Sequence, residues 1–161
     1  GEQLRTVADR YDVCVIDCGP ALGLLMLNAL VASSHVIVPV QAHFYALDGL
    51  KRLLDTIRLV RTRYYPCQVK PLGLLLTFME NRTLLCKRVE NSMRELFGPL
   101  VFDTMIHKTI ALAEAPSAGQ SVMTYAPDSK GAAEYAAVAR ETVARLQQPA
   151  AANVGARERA S

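Results

Sequence analysis

The sequence has four cysteines and no C-x-x-C motif. Cys14 and Cys18 are close together in the sequence, but no second pair of closely spaced cysteines is present to complete a four-ligand zinc site. Two of them, Cys14 and Cys18, lie in or beside an apolar segment, a position typical of reduced thiols in an intracellular protein. No signal peptide is visible at the N-terminus, and each apolar run is interrupted too early to span a bilayer. We therefore expect a cytoplasmic protein without a structural zinc ion.

The sequence also has little net charge. Its 18 Lys and Arg residues are balanced by 15 Asp and Glu residues, and the resulting charge of +3 is too small to indicate a nucleic-acid binder unless the cations cluster. Hydrophobic residues make up 51% of the 161 residues, which is enough to fill the core of one domain. We expect that domain at residues 1–147, and a disordered tail at 148–161 because those residues have little to bury.

The chain does contain an alternation of apolar, β-branched segments with amphipathic helical patterns. The predicted strands are at about residues 12–17, 35–40, 69–77 and 101–106, with a short extended piece at 122–125. The predicted helices are at about residues 21–32, 46–64, 83–97 and 129–147. Strands that are apolar almost throughout indicate a sheet covered on both faces, so the predicted fold class is α/β, a mainly parallel sheet with helices on both faces.

The first predicted strand ends on a carboxylate, Asp17, at the edge of the sheet where ligands of such folds bind. A carboxylate in this position can face a phosphate-bound Mg²⁺, directly or through water. It could equally cap the next helix by accepting backbone N–H bonds. Loops at 41–45, 78–82 and 107–117 leave the same edge, which is therefore where we expect a site.

Two further features have a functional and an ordinary interpretation. The helix at 46–64 has a basic face that could attract nucleic acid, although a solvated face is the commoner meaning of such a pattern. His43 and His107 could be taken for catalytic bases, but no nucleophile or metal partner is visible for either, which favours loop or core histidines.

Several specific strings in the chain carry a family resemblance. They include YDVCVIDCGPALGLLMLNAL, GLLLTFMENRT, LAEAPSAGQSV and YAPDSKGAAEYAAVARE, and they cover residues 10–146. The chain is similar to the C-terminal portion of the ParA/Soj-type partition ATPases, which have a deviant Walker A motif. The resemblance implies a P-loop NTPase (ParA/MinD-like) fold that is N-terminally incomplete here.

The resemblance also implies an activity and partners. Such a protein sandwiches ATP and Mg²⁺ in a homodimer, binds DNA non-specifically on the nucleoid, and hydrolyses ATP when a ParB/Spo0J-like centromere-binding protein stimulates it. Its role would be segregation of chromosomes or plasmids. The alternatives are a nucleotide-free DNA- or protein-binding module and a MinD-like division-site regulator. The second is disfavoured because the tail shows no basic amphipathic helix for a membrane.

The resemblance assigns roles to particular residues. Asp17 matches the Walker B aspartate that holds Mg²⁺ through water, and Pro20 lies in the same loop. Met79, Glu114 and Pro116 match the surroundings of the adenine base. Arg82 matches an arginine used for non-specific DNA binding, and Lys108 is the cation nearest to a second such position.

The sequence departs from the family pattern at three places. Gly19 replaces the first proline of the usual Asp-x-Pro-Pro loop, and Ala111 replaces the second DNA-binding arginine. The third departure is larger, since neither G-x-x-x-x-G-K-[ST] nor its deviant form occurs anywhere in the chain. Without the backbone N–H groups and lysine of that loop, nothing here can cradle the β- and γ-phosphates. We therefore expect the ATPase activity to belong to a full-length protein and no catalytic residue to lie within this chain.

Overall fold

The computed structural model describes residues 4, 6–19, 21, 23–43, 46–64, 67–80 and 83–147. The predicted tail at 148–161 and two predicted site residues, Pro20 and Arg82, lie outside these ranges. The chain divides into two compact units. The first comprises Gly1–Val36 and Gly49–Lys70, and the second comprises Ile37–Asp48 and Pro71–Ser161.

Between residues 24 and 97, strands and helices alternate as the sequence predicts. In chain order they are α1 (Leu24–Ala32), β1 (His35–Gln41), α2 (Ala46–Arg63), β2 (Lys70–Thr77), α3 (Leu84–Phe97), α4 (Ile110–Glu114), α5 (Val122–Tyr125) and α6 (Lys130–Gln147). Short 3₁₀ turns lie at Ala8–Arg10 and Gly98–Leu100. β1 and β2 are hydrogen-bonded neighbours in a parallel sheet, and the helix α2 connects them, so the predicted α/β fold class is confirmed.

The core of the first unit lies between α1, α2 and the start of β2. It is centred on Leu30, Ile57, Val60 and Val69, and partly buried residues of α1 and α2 pack around these four. The apolar residues of α2 recur every three or four positions, so one face of this helix is buried while the other faces solvent.

The prediction of a strand at residues 12–17 is wrong for this structure. Residues 13–19 have no regular secondary structure, and Val15 is 88% exposed. An apolar segment is stable as an interior strand only where other strands pair with it, and among the described residues none does. Asp17 therefore does not lie at a strand end here.

The second unit contains β2 and an edge segment, residues 101–108, that runs parallel to it. The prediction of a regular strand at 101–106 is wrong, because the pairing consists of two isolated bridges, Leu74 with Val101 and Met79 with His107. The amides of Phe102 and Ile106 donate to the carbonyls of Leu74 and Leu76, each at 2.9 Å. A step of four residues along the edge segment therefore lies opposite a step of two residues along β2. Residues 103–105 take up the extra length by forming a bulge.

Side-chain caps set the starts of α3 and α5. Thr83 caps α3 by accepting from the Cys86 amide, and Gly98, with φ of +49°, ends that helix. The prediction of an extended piece at 122–125 is wrong, since α5 is one helical turn. Ser121 caps this turn by accepting from the Thr124 amide at 3.3 Å, which favours a turn over extended backbone.

Two carboxylates on α6 hold the irregular edge segment in place. The Glu141 carboxylate accepts hydrogen bonds from the amides of Asp103 and Thr104, each at 2.9 Å, and so satisfies the bulged backbone. The Glu134 carboxylate accepts from the His107 amide at 2.8 Å and lies 2.6 Å from Nδ1 of the same residue. The edge segment is therefore anchored to α6 as well as to β2.

We expect the Glu141 contacts to make stability depend on pH. Burial alone would raise the pKa of the Glu141 carboxyl, but hydrogen bonds from Thr104, Asp103 and Arg145 outweigh burial and lower this pKa below its ordinary value. A carboxyl whose pKa is lower in the folded chain than in the unfolded chain stabilises the fold above the unfolded pKa. That contribution is lost as the pH falls through the folded pKa.

The measurement is urea unfolding of the chain and of Glu141→Gln at pH values from neutral to acidic. The variant keeps the shape of the side chain but not its charge, so it should be less stable near neutral pH. The two stability curves should converge in acid, where Glu141 is protonated. A gap between them that stays constant with pH would contradict this account of the carboxylate.

Candidate functional site

The structure brings Met79 and Lys108 together at the carboxyl end of β2. The Met79 amide donates to the Ile106 carbonyl, and the Lys108 amide donates to the Met79 carbonyl, each at 3.0 Å. The Met79 side chain is buried, with 4% of its surface exposed. A ligand at this position would therefore contact the backbone and the neighbouring residues rather than the Met79 side chain.

Phe78, directly before Met79, is a residue that the sequence patterns did not single out. It is the one described non-glycine residue with positive φ, at +55°, a conformation that costs a bulky side chain free energy. This residue is 57% exposed at the carboxyl end of β2. A strained, exposed aromatic residue at such an edge can stack on a flat ligand. The sequence carries no signal for this backbone strain, which is why sequence reasoning missed Phe78.

Lys108 presents its ammonium group to solvent on the same stretch of chain. Its Nζ atom lies 3.5 Å from the carboxylate of Glu80, and both side chains are exposed. An exposed ion pair of this kind contributes little free energy because water and salt screen it. Lys108 can therefore exchange Glu80 for another anion, such as a phosphate group, at small cost.

Glu114 and Pro116 lie together at the end of α4. The Tyr125 hydroxyl donates to the Glu114 carboxylate at 3.0 Å, and this hydrogen bond, together with the negative charge of Glu114, raises the pKa of Tyr125. Pro116 is exposed in the turn that follows, where its carbonyl accepts from the Gly119 amide. The carboxylate of Glu114 is thus oriented, and both residues face solvent.

Asp17 belongs to the first unit, whereas Met79, Lys108, Glu114 and Pro116 belong to the second. Its carboxylate is exposed in the irregular segment 11–19. Among the described residues, no three His, Cys, Asp or Glu side chains gather into a metal-binding group. The metal role of Asp17 and the DNA role of Lys108 remain predictions.

No helix within the described ranges combines the length and the apolar character needed to cross a bilayer.

Comparison with known proteins gives matches along nearly the whole chain. The family model of an AAA domain matches residues 1–69. The chromosome-partitioning ATPase Soj of Thermus thermophilus is 45% identical over 86% of this chain and 55% of its own length. The sporulation initiation inhibitor protein Soj of Bacillus subtilis is 42% identical over 88% of this chain and 55% of its own length.

A solved structure also matches this chain in its fold. Cobyrinic acid a,c-diamide synthase from Mycobacterium smegmatis matches with a TM-score of 0.72 and 29% sequence identity, over 91% of this chain and 53% of that chain. This chain spans about half the length of the curated relatives it matches. The similarity to Soj proteins at this level of identity confirms the resemblance seen in the sequence motifs, and the chain belongs to the ParA/Soj-type partition ATPase family.

Proposed function

We propose that this chain forms the part of a ParA/Soj-type ATPase that follows the P-loop, and that the full-length protein segregates chromosomes or plasmids. The observation that carries the proposal is the 45% identity to a chromosome-partitioning ATPase over 86% of the chain. Because the chain has no P-loop motif, the β- and γ-phosphates of ATP would be held by residues outside it. ATP-dependent homodimerisation would then switch DNA binding on, and a centromere-binding partner would stimulate hydrolysis.

The metal-facing residue in this proposal is Asp17. Mg²⁺ is commonly held by one or two carboxylates together with nucleotide phosphates and water, so a single exposed carboxylate fits this role and a complete protein cage is not required. When bound, Mg²⁺ would neutralise phosphate charge. Asp17 would orient the metal's water shell, and Pro20 would restrict the loop that follows.

In this proposal, residues at the end of β2 and at the end of α4 would contact the adenine base. Phe78 offers an exposed ring, and the Glu114 carboxylate, oriented by Tyr125, can accept a hydrogen bond from an amino group. Met79 and Pro116 would shape the backbone around the base. The residues Arg82 and Lys108 would contact DNA phosphates, with Lys108 exchanging its contact to Glu80.

The test is calorimetric titration of ATP with Mg²⁺ into this chain and into a version extended upstream to include any encoded P-loop. We expect binding by the extended version only, because the phosphate-binding backbone is absent from this chain. In the extended version, Asp17→Ala should weaken binding in the presence of Mg²⁺ and have little effect when EDTA removes the metal. Asp12→Ala, which removes an exposed carboxylate from the same segment, is the matched control.

Two results would contradict the proposal. ATP binding by this chain alone would show that the phosphate site does not need a P-loop. An absence of binding by both versions would favour the alternative of a nucleotide-free module, for which the missing P-loop motif is the supporting observation.

A further inference from the structure

The backbone that carries Glu114 is held in place by packing. The five-residue helix α4 ends at Glu114, and the next residue, Ala115, is only 2% exposed. Ala115 forms one buried cluster with Val122 of α5 and Ala132 of α6. The end of α4 is therefore anchored to both of the helices that follow it, and the Glu114 side chain starts from a fixed point.

The contact between α4 and α6 is close along the rest of the short helix. A Cβ atom at Gly131 on α6 would lie 2.8 Å from Cγ of Leu112, so the absence of a side chain at Gly131 makes room for this leucine. Thr109 caps the start of α4 by accepting from the Leu112 amide at 3.3 Å. Both contacts resist movement of the helix that ends at Glu114.

A hydrogen bond from Tyr125 then sets the direction of the Glu114 side chain. The Tyr125 hydroxyl donates to Oε2 of Glu114 at 3.0 Å. This bond and the negative charge of Glu114 raise the pKa of Tyr125, so its hydroxyl stays protonated and remains a donor at neutral pH. Because a carboxylate has about four acceptor positions, the bond leaves Glu114 able to accept from a ligand as well.

The backbone of Tyr125 is fixed in its turn by the single helical turn α5. Ser121 accepts from the Thr124 amide through its hydroxyl and from the Tyr125 amide through its carbonyl, at 3.3 and 2.8 Å. Val122, in the same turn, is buried in the cluster beside the end of α4. The Tyr125 hydroxyl is thus presented to Glu114 from a backbone that is already ordered.

We propose that Tyr125 is a positioning residue for nucleotide selection, which holds the Glu114 carboxylate where it accepts a hydrogen bond from the 6-amino group of adenine. The inference rests on the proposed function, in which Glu114 lies beside the base. A carboxylate only accepts hydrogen bonds, so it attracts an amino group and repels the carbonyl oxygen of a 6-oxo purine. A carboxylate oriented before binding also loses less side-chain entropy when the base arrives.

A purely structural role explains the Tyr125 hydroxyl less well. Tyr125 is 39% exposed and Glu114 is exposed too, so the bond between them competes with water and adds little to the stability of the fold. The buried cluster already holds α4 and α5 together without it. The main effect of the bond is therefore on where the carboxylate points.

The experiment is calorimetric titration of three nucleotides, with Mg²⁺, into the version of the chain extended upstream to include any encoded P-loop. They are ATP, purine riboside triphosphate, which lacks the 6-amino group, and inosine triphosphate, which has a 6-oxo group. We expect Tyr125→Phe to weaken ATP binding about three- to tenfold, the effect of one hydrogen bond, and to leave purine riboside triphosphate binding unchanged.

A second variant tests the carboxylate itself. Glu114→Gln should shift the ratio of ATP to inosine triphosphate affinity toward inosine triphosphate by about tenfold, because an amide can donate to a 6-oxo group. The matched control is Tyr135→Phe, which removes a hydroxyl from a tyrosine of α6 with similar exposure and should change neither affinity. Thermal melting shows whether each variant is folded, and Glu114→Gln carries the test if Tyr125→Phe is unstable.

The outcomes separate this inference from the proposed function. Equal weakening of ATP and purine riboside triphosphate binding by Tyr125→Phe would overturn the inference, because the hydroxyl would then act on the fold and not on the amino group. Normal ATP binding with unaltered selectivity in both variants would overturn the inference alone. Failure of the extended version to bind any of the three nucleotides would overturn the proposed function, and this inference with it.

Discussion

Replacing Arg145 with alanine should lower the free energy of unfolding by about 3 kcal/mol, the lower end of the range for breaking a buried ion pair from one side, because its pair with Glu141 is only partly buried. Only 14% of the Arg145 side chain is exposed, and its guanidinium group lies 2.8 Å from the Glu141 carboxylate. The guanidinium also stacks over the Phe102 ring, with 4.2 Å between Cζ and the ring centroid. Its remaining N–H groups donate to backbone carbonyls of Leu72, Pro99, Leu100 and Val101.

The cost is large because several groups lose their partner at once. Without the guanidinium, Glu141 keeps its negative charge beside the edge segment, and the carbonyls around the 3₁₀ turn Gly98–Leu100 lose donors. Lysine should not rescue the fold fully, since one ammonium group cannot reach carbonyls and carboxylate in the fork geometry of arginine.

Urea unfolding of Arg145→Ala, Arg145→Lys and the control Arg140→Ala provides the measurement. Arg140 is exposed on the same helix and forms no ion pair within the described residues, so its loss should change stability by about 0.5 kcal/mol or less. Similar effects of Arg140→Ala and Arg145→Ala would show that the contacts of Arg145 do not stabilise the fold.

Replacing Gly73 with alanine should destabilise the second unit by about 1–3 kcal/mol or more, the usual cost of overpacking a core. A Cβ atom at this position would clash with Cε2 of Phe102 and would lie 2.6 Å from its Cδ2 and 3.0 Å from Nη1 of Arg145. Phe102 is fully buried, so its ring cannot move aside without disturbing the core. The glycine in β2 therefore lets the aromatic ring and the guanidinium pack against the strand backbone.

The control for this prediction is Gly49→Ala on α2. A Cβ atom there would meet nothing within 4 Å, and alanine in a helix interior is favoured over glycine by about 0.5–1 kcal/mol, so this variant should be more stable. In a double-mutant cycle, Phe102→Leu should recover part of the loss caused by Gly73→Ala, because the smaller side chain leaves room for the methyl group. Purely additive effects would exclude the clash as the cause.

Sequence patterns predicted those parts of the fold that depend on local physics. The strands β1 and β2 are short, nearly continuous apolar runs, and α2 repeats its apolar residues every three or four positions. Thr83 caps the start of α3, and Gly98 ends the helix with a positive φ. Both effects depend only on residues that are close in sequence. In the site, the predicted proximity of the 78–82 and 107–117 loops was confirmed for Met79 and Lys108.

The predictions that failed depend on contacts between distant parts of the chain. Residues 12–17 have the composition of a buried strand, but a strand needs partners, and none pairs with them among the described residues. The edge segment at 101–108 is apolar enough for a strand, yet Glu141, distant in sequence, stabilises the amides of a bulge within it. The backbone strain at Phe78 likewise has no signature in the local sequence.

The sequence by itself therefore determined the strands and helices between residues 24 and 97, the final helix α6, the family, and the clustering of positive charge on α2, because periodicity, motif strings and charge are properties of neighbouring residues. Only the tertiary structure decided that Gly73, Phe102 and Arg145 form one packed group and that the Arg145 side chain is largely withdrawn from solvent. The reason is that burial and side-chain hydrogen bonds are set by which distant segments meet, and a pattern along the chain does not encode that directly.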